Sequence, residues 1–166
     1  MAKPIDITTP AVAATDANDA AWLALDHQLC FALYSASLAM TKAYKPLLDP
    51  LGLTYPQYLA MLVLWEGDGI SVTALGQRLA LDSGTLTPLL KRLQALGLLQ
   101  RLRDCHDERR VLLQLSAAGH ALKARALAVP QAIACATRCD LQQLGQLTQQ
   151  LQQLRRHLHG ASALAA

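Results

Sequence analysis

The chain has 166 residues, 52% of them hydrophobic and only 4% aromatic, with a formal net charge of +3. That length suits one domain with a sizeable core, and no apolar run approaches the roughly 20 residues a membrane span needs, so a membrane protein is not expected. The charge is uneven: residues 1–70 hold three basic against seven acidic side chains, whereas residues 71–166 hold twelve against five, as a footprint on a polyanion would require.

Abundant Ala, Leu, Gln and Arg favour helices. Residues 1–17 carry Lys3 but no apolar core; they do not resemble a secretory signal and are expected to be a mobile arm of a cytoplasmic protein. Asn18 or Asp26 can cap a first helix that runs to about Lys45, where Pro46 and Asp49-Pro50 break the pattern. Thr54 and Pro56 open a second helix through Trp65, stopped at Gly67-Asp68-Gly69. A short helix is predicted over 72–79, and a further one, capped by Ser83 and closed by Gly97, extends through Ala95. Pro88 falls inside the latter and should remove a hydrogen bond or bend it.

Leu98 to Arg103 alternates apolar and basic residues as a half-buried strand does. Val111 to Leu115 forms a second strand, and the pair makes a hairpin with a charged tip. Ser116 caps a helix from Ala117 to about Ala128, interrupted by Pro130. The last helix runs from about Asp140 to His159, with leucines at 141, 144, 147, 151, 154 and 158. That stripe needs an apolar partner, and a second copy of the chain is the economical one. The expected organisation is a single domain over 18–160, with its DNA-reading part at about 70–115 and a tail at 161–166. The fold class is mainly α with a small β-hairpin.

Two short helices joined by a tight turn and followed by a hairpin are in the order of a winged helix-turn-helix. A helix of that kind fits the major groove, about 12 Å wide, while a basic hairpin reaches the flanking backbone or minor groove. Ser83, Thr85 and Thr87 near the start of the second helix suit phosphate oxygens. Arg78, Lys91 and Arg92 on the helices, and Arg101, Arg103, Arg109 and Arg110 on the hairpin, add charge. Arg109 also suits an internal strut to Asp104 or Asp107, and solvated surface is the bland alternative for any single one of these side chains.

The block from Val72 to Leu79, the block from Asp82 to Leu93, Gly97-Leu98-Leu99, and the wing string Asp107-Glu108-Arg109-Arg110 with Leu115-Ser116 resemble the MarR family of transcriptional regulators. The resemblance covers roughly residues 25–160. It implies a homodimer joined by the N- and C-terminal helices. Its two recognition helices would lie one DNA turn apart, on the order of 34 Å, on a pseudo-palindromic operator.

Three further strings, Gln28 to Tyr34, Tyr44 to Leu48 and Thr54 to Tyr58, resemble the organic hydroperoxide sensors of that family (OhrR). This resemblance implies that Cys30 is the peroxidatic thiol, hydrogen-bonded by Tyr44 and Tyr55 of the opposite subunit. The chemistry is coherent, because only a thiolate attacks a peroxide O–O bond and phenolic donors stabilise one. A helix starting at Asp26 would put Cys30 in its first turn, with help from the dipole; one starting near Asn18 would not. Phe31, Tyr34, Tyr58, Met61 and Trp65 offer apolar walls for an organic hydroperoxide. A lone Cys on an apolar helix is otherwise most often a small core residue.

Four cysteines without a secretion signal are reduced thiols by default. The resemblance is to the two-cysteine sensors, in which a resolving thiol comes from the partner. Cys135 is the first choice and Cys139, flanked by Arg138 and Asp140, the second; Cys105 in the wing is incidental. A zinc site from Cys135, Cys139 and His157 or His159 matches no usual spacing, so no metal and no cofactor is expected. The expected function is a repressor that binds operator DNA as a reduced homodimer and is released when an organic hydroperoxide oxidises Cys30 and an intersubunit disulfide forms. The alternatives are a repressor of the same family responding to small aromatic compounds, a thiol peroxidase, and a non-specific architectural DNA binder.

Overall fold

A computed structural model describes residues 22–105, 107 and 109–164, with side chains through residue 158. The expected arm at 1–17, the cap at Asn18, and Glu108 of the wing lie outside the described residues. The chain divides into two compact units, Met1–Met40 and Thr41–Ala166.

In the first unit a 3-10 turn, Leu25–His27, precedes helix α1, Leu29–Leu48, whose first part belongs to this unit. The Gln28 side chain donates to the carbonyls of Trp22 and Ala24, which folds this entry segment on itself. The amide of Ala32 bonds to the Gln28 carbonyl, so the helix begins at Leu29 and Cys30 is its second residue. Of the two starts left open by the sequence, the later one is therefore close to the truth.

The second unit holds the core. Helix α1 passes through Pro46, where a break was expected, because the proline lies in the last turn and removes one amide donor only. Burial of Leu48 there outweighs that loss. Helix α2 (Tyr55–Glu66) starts with a reciprocal capping box between Thr54 and Gln57 and carries buried Tyr58, Ala60, Met61, Val63 and Leu64. Strand β1 (Ile70–Ser71) leads into α3 (Val72–Leu79), and α4 (Ser83–Ala95) follows. Strands β2 (Leu99–Arg103) and β3 (Val111–Leu115) form the wing, in register from Leu99 opposite Leu115 to Arg103 opposite Val111. The sheet order is β1-β3-β2, so the expected hairpin is part of a three-stranded antiparallel sheet. A two-residue strand has no alternation for a sequence to show.

Beyond the wing lie α5 (Ala117–Ala126), α6 (Ala128–Thr137) and α7 (Leu141–Leu164). Pro130 sits in the first turn of α6 instead of interrupting α5, a position where its missing amide costs little. Helix α7 starts at a second capping box: the Gln143 amide donates to Asp140 at 2.7 Å and the Asp140 amide to Gln143 at 3.0 Å. It continues past the expected end at His159. Its Leu141 is 81% exposed and its Leu147 51%, so the described residues leave part of this stripe open.

Helix α2 packs against α3, α4, α5 and β3, and leucines 75, 86, 90, 93, 99 and 113 close the core around it. Ser116 ties β3 to the start of α5: its amide donates to the Leu98 carbonyl at 3.0 Å, and its hydroxyl donates to the Gly97 carbonyl and accepts from the Gly119 amide. A Cβ on Gly119 would lie 2.1 Å from the Leu98 carbonyl oxygen. Gly119→Ala is therefore expected to push α5 off the wing base and cost about 1–3 kcal/mol in urea unfolding, the scale of overpacking. An unchanged midpoint would contradict this packing.

Candidate DNA interface and thiol site

The DNA-facing geometry is built on the turn between α3 and α4. Ala80 takes a left-handed conformation (φ 54), and the Leu81 amide closes back on the Gly76 carbonyl at 3.0 Å. Gly76 allows the two helices to approach, since a Cβ there would stand 3.1 Å from the Leu81 carbonyl and 3.2 Å from Leu86. The cap of α4 is Asp82 and not Ser83: its carboxylate accepts from the Thr85 amide and the Thr85 hydroxyl, both at 2.9 Å. The Thr85 amide bond leads in holding that carboxyl below its ordinary range. Thr87 donates to the Ser83 carbonyl at 2.7 Å. Two of the three hydroxyls singled out thus support the helix itself, while Ser83, Lys91 and Arg92 stand exposed.

Arg78 forms an ion pair with Glu66 at 2.6 Å, joining the end of α3 to the end of α2. At the wing tip the Asp104 amide donates to the Arg110 carbonyl at 3.0 Å and the Arg110 amide to the Asp107 carbonyl at 2.8 Å. The Asp107 carboxylate accepts the Arg109 amide at 3.1 Å, whereas its contact with the Arg109 guanidinium is at 4.0 Å with that side chain 97% exposed. The tighter side-chain pair of the wing is Arg110 with Asp104, at 3.8 Å. A cleft of about 550 Å³ separates wing from α3, with Thr73 and Gln77 on one wall and Arg101, Arg109 and Arg110 on the other. Arg103 is exposed beside it.

The thiol residues fall in both units. In the first unit Cys30 is exposed in the first turn of α1, with Phe31 half-buried and Tyr34 exposed. In the second unit the tyrosines assemble: the rings of Tyr44 and Tyr55 lie 4.6 Å apart, Tyr44 and Tyr58 5.9 Å, and Tyr58 meets Trp65 edge-on at 6.4 Å. Burial first, then the neighbouring Tyr55 and Tyr58, pushes the Tyr44 phenol up to about 12. Burial also raises Tyr55 and Tyr58. All three phenols, neutral at physiological pH as any ordinary tyrosine is, thus stay neutral further into the alkaline range. Tyr58 and Met61 are fully buried in the core, and the Trp65 indole donates to the Gly119 carbonyl at 2.9 Å. Cys135 is exposed in the last turn of α6, and Cys139 is exposed just beyond it.

Two residues that sequence reasoning passed over hold the parts together. Asp68 accepts the Gly69 and Leu115 amides, both at 2.9 Å, and faces His120 at 3.5 Å, so it anchors the base of the wing. Gln57 is the buried half of the α2 capping box. The S/T-x-x-Q spacing from Thr54 to Gln57 was a legible signal; nothing local marked Asp68.

A helix-turn-helix followed by a charged two-stranded wing defines a winged-helix DNA-binding regulator, and a profile described as the transcriptional regulator SarA/Rot matches residues 42–125. The organic hydroperoxide resistance transcriptional regulator of Bacillus subtilis is 49% identical over 135 residues, 81% of this chain and 92% of that one. Reduced AbfR bound to DNA is 34% identical, with a TM-score of 0.67 over 81% of this chain and 94% of that one. Disulfide-formed AbfR, also 34% identical, gives a TM-score of 0.59 over 84% and 98%. AbfR is a protein of Staphylococcus epidermidis. The chain belongs to the MarR family of transcriptional regulators and is similar to its organic hydroperoxide resistance regulator, OhrR. Among the described residues no helix is long and apolar enough to cross a membrane.

We propose Lys91 and Arg109 as phosphate contacts. Replacing either with Ala is expected to weaken binding to all DNA sequences alike and to reduce the slope of log K against log salt by about 0.9 per phosphate lost. Folding stability should stay within about 0.5 kcal/mol. An unchanged salt slope, measured by anisotropy titration, would remove them from the interface.

Proposed function

We propose that the reduced chain binds operator DNA as a homodimer and represses, and that an organic hydroperoxide releases it by oxidising Cys30. The carrying observation is the Tyr44–Tyr55 pair, two phenols 4.6 Å apart and neutral at physiological pH. Paired neutral donors suit a thiolate, and their delivery to Cys30 from the opposite subunit is part of the proposal. Cys30 lies in the first turn of its helix, where backbone amides lack intrahelical partners and favour an anion. The exposed Leu141, Leu147 and Leu151 of α7 support a second copy as their partner. The relative in Bacillus subtilis is a regulator of organic hydroperoxide resistance, and AbfR has been solved reduced on DNA and in a disulfide form.

In this reading the Cys30 thiolate attacks the peroxide O–O bond, giving a sulfenic acid and the alcohol. The Cys135 thiol of the partner subunit then displaces water to form an intersubunit disulfide. A disulfide needs Cα atoms within about 7 Å. Closing such a bridge between subunits shifts helices to which the DNA-reading elements are attached, and the spacing of the recognition helices no longer matches one DNA turn.

Non-reducing electrophoresis at short times after one equivalent of cumene hydroperoxide is expected to show a crosslinked dimer for the wild type and for Cys139→Ser, and none for Cys30→Ser or Cys135→Ser. A crosslinked dimer in Cys135→Ser would transfer the resolving role to Cys139. Unimpaired induction in Cys30→Ser would favour the aromatic-ligand reading.

The raised tyrosine also sets a pH dependence. A phenol whose ionisation is moved up to about 12 stays a donor well past pH 10, the ordinary tyrosine value. The rate of Cys30 oxidation should thus show no descending limb below about pH 10. Tyr44→Phe should slow it about tenfold or more, the scale of a lost charge-assisted hydrogen bond. A descending limb at pH 9, or an unchanged rate in Tyr44→Phe, would contradict this role.

A further inference from the structure

We propose that Cys135 and Cys139 are a dithiol pair onto which oxidation moves after the intersubunit bridge has formed, so that Cys139 releases Cys30 for a second reaction. The inference rests on the hydroperoxide reading above. Cys135 lies in the last turn of α6, and the helix stops two residues later: Arg138 is left-handed (φ 55) and its amide donates to the Cys135 carbonyl at 3.2 Å. Cys139 follows immediately, before the cap of α7 at Asp140. Its amide leans on the Thr137 hydroxyl and its thiol on the Thr137 carbonyl, both at 3.4 Å, so both ends of Cys139 are fixed within this turn. Both thiols are exposed.

The left-handed Arg138 turns the chain between the two thiols, and the relay requires this turn to bring their Cα atoms within about 7 Å. The loop to be closed is only a few residues long, so its closure entropy is small. The step balances without an added reductant. The Cys139 thiolate attacks Cys135 Sγ of the Cys30–Cys135 bridge, a Cys135–Cys139 bond forms within one subunit, and Cys30 leaves as a thiolate. Phenols that stabilise that thiolate make it the better leaving group, which favours this direction. Two electrons per subunit have then passed from the thiols to the first hydroperoxide. A second equivalent converts the released Cys30 to a sulfenic acid with no resolving thiol left.

The test uses the full-length dimer with excess cumene hydroperoxide and no reductant, acid-quenched over time, with non-reducing electrophoresis and mass mapping of disulfide-linked peptides. The wild type should show a crosslinked dimer that rises and then decays as a Cys135–Cys139 peptide appears, with two equivalents of hydroperoxide consumed per subunit and dimedone labelling Cys30. Cys139→Ser should hold its crosslinked dimer and consume one. A wild-type dimer as persistent as that of Cys139→Ser, with no Cys135–Cys139 peptide, would overturn the relay and leave the hydroperoxide reading intact. No crosslinked dimer at any time in either protein would overturn both.

Discussion

Burial of α2 is the constraint on which the other elements depend. One face of this helix supplies Tyr58, Met61 and Leu64 to the core, and its neighbours are both helices of the DNA-reading turn, the central strand and α5. Its ends do different work. The first turn presents Tyr55 to Tyr44, while the last turn sends three links outward: Trp65 to Gly119, Lys123 to the Trp65 carbonyl at 3.0 Å, and Glu66 to Arg78. Asp68, just beyond, holds the wing base through the Leu115 amide. An exposed pair such as Glu66–Arg78 adds little stability by itself, but it fixes the pitch of α3 relative to a helix that the core cannot let move. The turn and the wing base are thus both tied to residues at or just beyond the end of α2.

Most of the helical framework was legible because its signals are local. Thr54 with Pro56, Ser71, Gly97 and Ser116 each mark a terminus by chemistry that acts within a few residues, and each lies where such a signal places it. Pro130 looked like a break but falls in the first turn of a helix, where the amides are unpaired anyway, whereas Pro46 sits in the last turn of α1 and is tolerated there at the loss of one hydrogen bond. Asp82 displaced Ser83 as the cap because its carboxylate takes both the amide and the hydroxyl of Thr85. The two-residue β1 is set by pairing with β3, a partner more than forty positions away, which no local pattern announces.

The site was legible to a different degree. Tyr44 and Tyr55 stand out in the residue strings, and the fold brings them together; it also places Tyr58, expected as a pocket wall, beside Tyr44 in an aromatic row that runs on to Trp65. Residue type alone could not distinguish a wall from a core, because Tyr58 and Met61 serve either. The same holds for Thr85, Thr87 and Arg78, whose side chains have partners within the protein. In the basic wing Arg110 pairs with Asp104, while Arg109 contacts Asp107 through its amide and, at 4.0 Å, through an otherwise exposed guanidinium.

The central claim is that one thiol governs DNA release. It is tested most directly by the affinity of the dimer for an operator duplex, followed by fluorescence anisotropy at fixed salt before and after cumene hydroperoxide, in the wild type and in Cys30→Ser. The account predicts tight binding by both reduced proteins, loss of binding by the oxidised wild type, its recovery with dithiothreitol, and no response at all from Cys30→Ser. Release of Cys30→Ser by the hydroperoxide to the same extent as the wild type would contradict it.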